Sequence, residues 1–177
     1  MRQIVLLRGI NLGPTNRVPM PALRELLGEH GLEDVRTYVQ SGNIVLSSEL
    51  SPMRLAATCK NAIAEGFGLD IDVLVRTHHE LAEVVARNPL EKVAVNPKRY
   101  QVTFLSEELD RRRVEELAAL AAEGERLIAI GRELYAWHPD GVARSKLWAR
   151  LGGKGLGVSA TSRNWSTVTT LLEMADA

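Results

Sequence analysis

The stretch of the chain with the most side chains suited to chemistry is LLRGINLGPTNRVPM, residues 6–20, which passes from an apolar segment into polar residues without a single acid. Its polar and glycine positions are Arg8, Gly9, Asn11, Gly13, Asn16 and Arg17. Connections that only join two elements have a median length of about 4–6 residues, whereas longer ones in compact domains are usually binding loops or disordered. Arginine supplies a bidentate fork for anions, and glycine lets the backbone approach a ligand closely. The stretch therefore predicts a site that prefers anions, without defining a reaction.

The hydrophobic pattern of the first half predicts an antiparallel sheet with helices on one face. An apolar run at Gln3–Leu7 is typical of a strand buried on both faces, and Pro19 with Pro21 opens the next helix. The stretch VRTYVQSGNIVLSS predicts a hairpin with a glycine-containing turn, and a helix from Ser51 and a further strand complete the set. The order β-α-β-β-α-β over residues 3–76 is the ferredoxin-like arrangement of the α+β class.

The second half predicts a related but smaller unit. A strand at Tyr100–Leu105, a helix, two strands turned at Gly131, a short helix and a last helix give β-α-β-β-α, which lacks the final strand of a second ferredoxin-like unit. We place the boundary between about Asn88 and Lys98. The expected organisation is residues 1–88 and 98–177 as two units packed together as one compact body.

The position of the polar stretch, directly after the first strand, predicts what it faces. Arg8 follows that strand, which is central in a ferredoxin-like sheet, so its exit loop should open beside a helix N-terminus. Backbone N–H groups lack partners there, and the helix dipole contributes about half a positive charge, so we predict that Arg8 faces a small anion. The structural alternative is that Asn11 and Asn16 cap turns and that Arg8 pairs with an acid from the middle of the chain.

A second cationic feature is TSRNW, near the end of the chain. We predict Thr161 or Ser162 as the N-cap of the last helix, with Arg163 in its first turn, where positive charge opposes the helix dipole by about 0.3–1 kcal/mol. The hypothesis is one anion-receptive pocket between the two halves, and the competing explanation is a salt bridge from Arg163 to a carboxylate. The predicted ligand-binding residues are Arg8, Gly9, Asn11, Gly13, Asn16, Gln40, Ser41, Asn43, Arg163 and Asn164.

Charge is distributed unevenly along a chain without net charge. The 22 basic and 22 acidic residues cancel, which argues against a protein that coats nucleic acid or an anionic membrane. Residues 1–24 hold four arginines and no acid, and residues 141–172 hold five basic residues and no acid. The rest of the chain carries 13 basic and 22 acidic residues. If the two ends meet they form a positive face; alternatively, these side chains simply face water.

Composition limits the compartment and the redox chemistry. With 45% apolar and 25% charged residues the chain has the composition of a soluble globular protein. Its N-terminal residues do not form a basic segment followed by a long apolar run, and no run approaches the roughly 18 apolar residues that a bilayer span needs, so we expect a cytoplasmic protein without membrane association. Cys59 is the only cysteine, which excludes an internal disulfide, and its helical pattern indicates a buried apolar residue rather than a nucleophile.

Adjacent histidines at residues 78 and 79 have a structural explanation. The sequence THHE at residues 77–80 matches a capping box, in which Thr77 and Glu80 satisfy free amides at a helix start. Zinc needs three or four converging ligands, and tandem histidines point in different directions, so we predict no metal site.

Other motifs that resemble catalytic or cofactor signatures lack a required part. The glycine-rich GGKGLG around Lys154 has neither the preceding strand nor the Ser or Thr after the lysine that a P-loop requires. Ser145 and Ser159 lack the G-x-S-x-G elbow, and no paired carboxylates stand out. We therefore predict no cofactor, and the sequence assigns no catalytic residue.

Three segments remain, LLRGINLGPTNR, YVQSGN and TSRNW. Together with GVARSKL and the ending TSRNWSTVTTLLEMA, they resemble, over essentially the whole chain, the bacterial family catalogued as domain of unknown function 1697. The resemblance implies a small cytoplasmic protein, an α+β fold built on ferredoxin-like units, and no established activity. Members often have Gly-Gly-Lys-Asn where this chain has Gly13, Pro14, Thr15 and Asn16, so a lysine that would touch a ligand is missing.

Three classes of function stay open at this point. The first is a small-anion or nucleotide-like ligand site, with or without catalysis. RNA binding ranks second. The RNA-recognition motif shares this topology, which favours it, but that motif needs aromatic residues on the first and third strands, and IVLLRG and SGNIVLSS have none. The third is a protein-interaction module anchored by Trp137, Trp148 and Trp165, although tryptophans are more often core residues. Oligomeric state is open, and fold alone does not decide among the three.

Overall fold

The computed structural model of the chain describes residues 1–152 and 155–177 and divides into two units. The first unit contains Met1–Glu83 together with Thr170–Ala177, and the second contains Val84–Thr169. The glycine-rich prediction at Lys154 lies outside the described residues.

The first unit is a four-stranded antiparallel sheet in which the first strand along the chain lies between the third and the fourth, and the second lies at the edge beside the third. This order and the alternation of elements confirm the predicted ferredoxin-like arrangement. In chain order the elements are β1 (Arg2–Leu7), α1 (Met20–Glu29), β2 (Glu33–Tyr38), β3 (Asn43–Ser47), α2 (Pro52–Phe67) and β4 (Val73–Thr77), followed by α3 (His78–Arg87).

The core of the first unit lies between one face of this sheet and the apolar faces of α1 and α2. Helix α2 begins as predicted, because the Ser51 hydroxyl accepts a hydrogen bond from the Arg54 amide and Pro52 occupies the first turn. Cys59 is fully buried in this core, and burial raises the pKa of its thiol to about 12, which keeps it a thiol rather than a nucleophilic thiolate. Strand β1 is buried on both faces, as its continuous apolar run predicts.

The second unit contains β5 (Tyr100–Leu105), α4 (Arg111–Ala118), β6 (Arg126–Ile130), β7 (Glu133–Trp137), α5 (Lys146–Gly152) and β8 (Ala160–Asn164), and its sheet repeats the topology with the strand order β6-β7-β5-β8. Helix α6 (Trp165–Asp176) follows, and its residues from Thr170 onward belong to the first unit. The α+β fold class is confirmed, and the second unit has the final strand that the sequence analysis assigned to a helix start. That strand, β8, is an edge strand whose residues are mostly small and polar, so its structure depends on pairing with β5 rather than on local pattern.

The capping box at the start of α3 is confirmed. The Thr77 amide donates to Oε2 of Glu80 over 2.8 Å, and the Glu80 amide donates to Oγ1 of Thr77 over 3.1 Å. Each of the neighbouring histidines lies near an acid. Nε2 of His78 is 2.5 Å from Oδ1 of Asp176, and Nε2 of His79 is 3.6 Å from Oε1 of Glu83. Among residues 1–152 and 155–177, no three histidine, cysteine or acidic side chains are grouped to hold a metal ion.

No helix in the described part of the chain is both long enough and apolar enough to cross a bilayer.

We expect Gly42 to be far less replaceable than Gly131, although both have positive φ angles, +81° and +57°. A Cβ on Gly42 would lie 2.7 Å from Cβ of Leu7, an atom fixed to the central strand, whereas one on Gly131 meets nothing within 4 Å. Both alanine variants incur backbone strain of about 1–2 kcal/mol, and Gly42→Ala adds about 1–3 kcal/mol of steric overlap. Urea denaturation measures the difference, and equal losses of stability in the two variants would show that the β2–β3 turn is not packed against β1 as described.

Candidate functional site

The end of β1 is fixed to two neighbouring segments by backbone hydrogen bonds. The Leu7 amide donates to the carbonyl oxygen of Gly42 over 2.9 Å, and the Arg8 amide donates to the carbonyl oxygen of Asp72 over 3.0 Å. The β1–α1 connection, the β2–β3 turn and the residue before β4 therefore meet at one end of the sheet. We call residues 8–18, residues 39–43 and Asp72 the β1 loop cluster.

Asn11 ties the first two parts of this cluster together. Its side-chain amide donates to the carbonyl oxygens of Val18 over 2.9 Å and Gln40 over 2.7 Å, and its side-chain oxygen accepts from the Val18 amide over 2.8 Å. The backbone amide of Asn11 donates to the carbonyl oxygen of Asn16 over 3.0 Å, which closes the loop on itself. The long connection is thus an ordered structure rather than a disordered linker.

Left-handed backbone conformations are concentrated in the cluster. Five of its residues have positive φ angles, namely Gly9, Asn11, Asn16, Val39 and Gly42. Val39 is the notable one, with φ at +51°, because a β-branched side chain rarely adopts this conformation, at a cost of about 1–3 kcal/mol. Hydrogen bonds from the side chains of Asn43 and Asn11 to the carbonyl oxygens of Tyr38 and Gln40 lie on either side of Val39.

Arg8 lies beside an acid, Asp72, which corresponds to the structural alternative that Arg8 pairs with a carboxylate. Nη1 of Arg8 lies 3.6 Å from Oδ2 of Asp72, a separation that is longer than a hydrogen bond, and the Arg8 side chain stays 26% exposed. Nζ of Lys60, on α2, lies 3.8 Å from Oδ1 of the same carboxylate and 3.2 Å from Asp70. Asp72 therefore shares its charge between two cations. Arg17, which is exposed in the same loop, is a further positive charge of the cluster.

The remaining predicted residues of the first unit are all in the cluster, with different surroundings. Asn43 is fully buried and donates to Oγ of Ser41 over 2.9 Å, so its amide shapes the turn from inside. Gln40 is exposed, and the amide of Asn16 lies 3.4 Å from the carbonyl oxygen of Gly9. Gly13 has open space around its Cα, so the fold itself does not require glycine there.

The N-terminus of α1 offers fewer amides to a ligand than the sequence analysis assumed. Pro19 is the N-cap, no side chain caps the helix, and Pro21 removes a further donor, which leaves the amides of Met20 and Ala22 in the first turn. Any anion at this end must therefore be held mainly by side chains and by the loop backbone.

The predicted placement of Arg163 at a helix start is wrong. Arg163 lies in β8, paired with Val102, and the N-cap of α6 is Asn164, whose Oδ1 accepts from the Thr167 amide over 2.9 Å. The Arg163 guanidinium is nine-tenths buried and donates to Oγ1 of Thr161 over 2.7 Å, and burial lowers its pKa to about 10. The argument from an arginine opposing the helix dipole therefore does not apply, and the meeting of Arg163 and Asn164 with Arg8 stays a prediction.

The structure also bears on the two alternative functions. An RNA-recognition motif stacks bases on the open face of its first and third strands, but here Ile4, Leu6 and Val45 are at most 1% exposed. Among the tryptophans, Trp137 is buried and Trp165 stacks on Tyr100 with 4.9 Å between ring centroids, so both contribute to packing.

A buried polar cluster in the second unit escaped the sequence analysis. His138 is fully buried, and its Nδ1 makes a short contact with Oε2 of Glu125, which also accepts from the Ser145 hydroxyl over 2.7 Å. The same hydroxyl lies 3.3 Å from Nδ1 of His138 and accepts from the Trp148 amide in the first turn of α5. No local motif links these residues, because they come from a turn, a strand end and a loop.

This cluster contains the residue types of a hydrolytic triad but not its geometry. In a triad the histidine contacts the serine through one ring nitrogen and the carboxylate through the other. Here Nδ1 of His138 faces both Ser145 and Glu125, and Nε2 is buried without a hydrogen-bond partner in the described part of the chain. The arrangement holds the loop and the start of α5 in place, and it does not let His138 take a proton from Ser145 through one ring nitrogen while Glu125 orients the other.

Burial would by itself raise the pKa of the Glu125 carboxyl, but its partners outweigh that effect. Hydrogen bonds from the Ala122 amide, Ser145 and His138, together with the charge of His138, hold the pKa of Glu125 below its ordinary value. The carboxylate form is therefore the form that the folded protein stabilises.

The fold and topology define a two-unit ferredoxin-like α+β protein. The chain belongs to the family described as protein of unknown function DUF1697, whose model matches residues 1–135. A solved structure of the conserved bacterial protein SP0830 from Streptococcus pneumoniae is similar, with a TM-score of 0.79 and 24% sequence identity over 98% of both chains. That likeness shows the fold alone. The comparison with curated proteins gives no match.

We expect Glu125→Gln to change the pH dependence of stability. The lowered pKa of Glu125 contributes stability that is complete above the ordinary carboxyl value of 4.5 and is lost as pH falls through the lower folded value. The difference in unfolding free energy between the native protein and the variant should therefore shrink as pH falls below about 4.5. Urea denaturation at several pH values measures it, with Glu123→Gln, an exposed carboxylate of the same connection, as control. A difference that is constant with pH would contradict the conclusion that the partners of Glu125 lower its pKa more than burial raises it.

Proposed function

We propose that the protein binds a small phosphate-bearing anion, nucleotide-like in class, at the β1 loop cluster. The observation that carries the proposal is the Asn11 bridge, which joins a basic loop to the β2–β3 turn beside Arg8. Binding sites need side chains and backbone held in place before the ligand arrives, and this bridge supplies such preorganisation.

The charge of the loop supports an anionic ligand. Residues 8–18 contain Arg8 and Arg17 and no acid, and residues 39–43 contain no charged side chain. The carboxylate beside Arg8 is Asp72, whose Oδ2 lies 3.6 Å from Nη1 and whose Oδ1 lies near Lys60. A phosphate carries more charge than a carboxylate and offers oxygens that match the arginine fork.

The second unit provides an internal comparison. The matching connection after its first strand, residues 106–110, has the sequence SEELD, with three acids and no base. The two sheets share their topology, so a long basic connection after the first strand is not something that this topology requires. Features that a fold does not need are the ones that function explains best.

The proposal is limited to the first unit. A contribution from Arg163 and Asn164 stays a prediction, as do a cytoplasmic location and a bacterial source. Catalysis is not part of the proposal.

We expect both inorganic phosphate and adenosine monophosphate to bind. Two substitutions should change the affinity for both ligands in opposite directions. Arg8→Gln should weaken binding about tenfold or more, since a hydrogen bond to a charged group contributes about 1.5–3 kcal/mol. Asp72→Asn should strengthen binding, because it removes the competing carboxylate and keeps the backbone carbonyl that accepts from the Arg8 amide. Isothermal titration calorimetry measures both affinities.

The matched control is Arg54→Gln, which removes the same charge from an exposed position in the first turn of α2. Thermal melting without ligand verifies that each variant is folded. If neither anion binds the native protein, or if Arg54→Gln weakens binding as much as Arg8→Gln, the β1 loop cluster is not the anion site.

A further inference from the structure

A cavity of about 710 Å³ in the second unit lies between α4, α5 and the segment that follows α5. Its size is within the range of about 300–1,000 Å³ that small-molecule sites occupy. Its lining residues are Arg113, Glu116, Leu117, Leu120, Lys146, Ala149, Arg150, Gly155 and Leu156.

The cavity has an apolar floor that belongs to the core of the unit. Leu117 and Leu156 are buried members of that core, and Leu120 is half-buried and packs against it. A ligand that reaches this floor must itself carry an apolar group, since three leucines offer no hydrogen bonds.

The rim of the cavity is cationic. Lys146 and Arg150 lie one turn apart on α5, and neither makes an ion pair with a residue of the described chain. Arg113, on α4, donates to the carbonyl oxygen of Leu156 and brings a third positive charge to the lining. The one acid, Glu116, is already paired with Arg112 at 3.2 Å.

The placement of the two α5 cations is locally unfavourable. Like charges four residues apart on a helix repel each other by about 0.2–0.5 kcal/mol, and Lys146 also occupies the first position of α5, where the helix dipole disfavours positive charge. The Arg150 guanidinium lies beside Gly155, with 3.8 Å between Nη1 and the position of a Cβ, and so lies over the cavity rather than away from it. An anionic ligand would offset both costs.

From this combination we infer a second ligand site, in which α4 and α5 bind a small amphipathic anion with its apolar chain on Leu117, Leu120 and Leu156 and its anionic head at Lys146 and Arg150. The ligand class is an acyl or aryl group that carries a carboxylate or a phosphate. This site is independent of the β1 loop cluster and does not rest on the function proposed for it.

Decanoate is the probe, with decanol as the neutral molecule of the same chain length and inorganic phosphate as the head without a chain. We expect decanoate to bind the full chain at one site and decanol to bind about tenfold more weakly or not at all. Phosphate is measured on the Arg8→Gln variant, in which the β1 loop cluster is weakened, and there it should also bind about tenfold more weakly than decanoate or not at all. Calorimetric titration measures all three affinities. Equal affinity for decanol would remove the role of the cations, and equal affinity for phosphate would remove the role of the apolar floor.

Variants then locate the site. Lys146→Gln and Arg150→Gln should each weaken decanoate binding about tenfold, whereas Arg144→Gln, which removes a neighbouring exposed cation outside the cavity, and Arg8→Gln in the first unit should leave it unchanged. Leu120→Glu should abolish binding by placing an acid on the floor, with thermal melting to verify folding. Should Leu120→Glu fail to fold, the two cation variants decide. Absence of decanoate binding, or equal losses in Arg144→Gln and Arg150→Gln, overturns the inference.

Discussion

The side-chain amide of Asn11 is the interaction on which the candidate site depends. It supplies two donors and one acceptor to backbone groups of Val18 and Gln40, so it fixes the loop after β1 and joins it to the β2–β3 turn. Asparagine suits this position for a second reason, since it tolerates the positive φ of +55° better than most residues. An aspartate could make neither donation, because its carboxylate only accepts hydrogen bonds.

The two units show how one topology carries different surfaces. Both sheets have a central first strand flanked by the third and fourth strands, yet the connection after β1 is long and basic and the connection after β5 is short and acidic. In the second unit the cationic side chains lie instead on α4 and α5, around the cavity. The topology accommodates both charge patterns, and the connections and helix faces decide where an anion is favoured.

Sequence reasoning succeeded where local pattern determines structure. The continuous apolar run of β1, the Ser51 cap of α2 and the capping box at Thr77 are encoded within a few residues, and each was confirmed. It failed where structure depends on distant partners. Strand β8 exists because β5 pairs with it, and its TSRN sequence contains residues that also cap helices, so local signals favoured the wrong assignment for Arg163.

The same distinction explains what was missed at the sites. The cluster of Glu125, His138 and Ser145 and the bond from Asn11 to Gln40 join residues that are 7 to 29 positions apart, and no short motif predicts such contacts. The strained Val39 was equally invisible, because only tertiary contacts can hold a β-branched residue at positive φ.

The central claim is that a small anion binds the β1 loop cluster, and nuclear magnetic resonance of the isotopically labelled full chain tests it most directly. During titration with inorganic phosphate, the account predicts saturable shifts of the backbone amides of Gly9, Asn11 and Gly42, with a single dissociation constant and no change at residues 106–110. Saturable shifts confined to residues of the second unit, or no saturable shift at all, would contradict it.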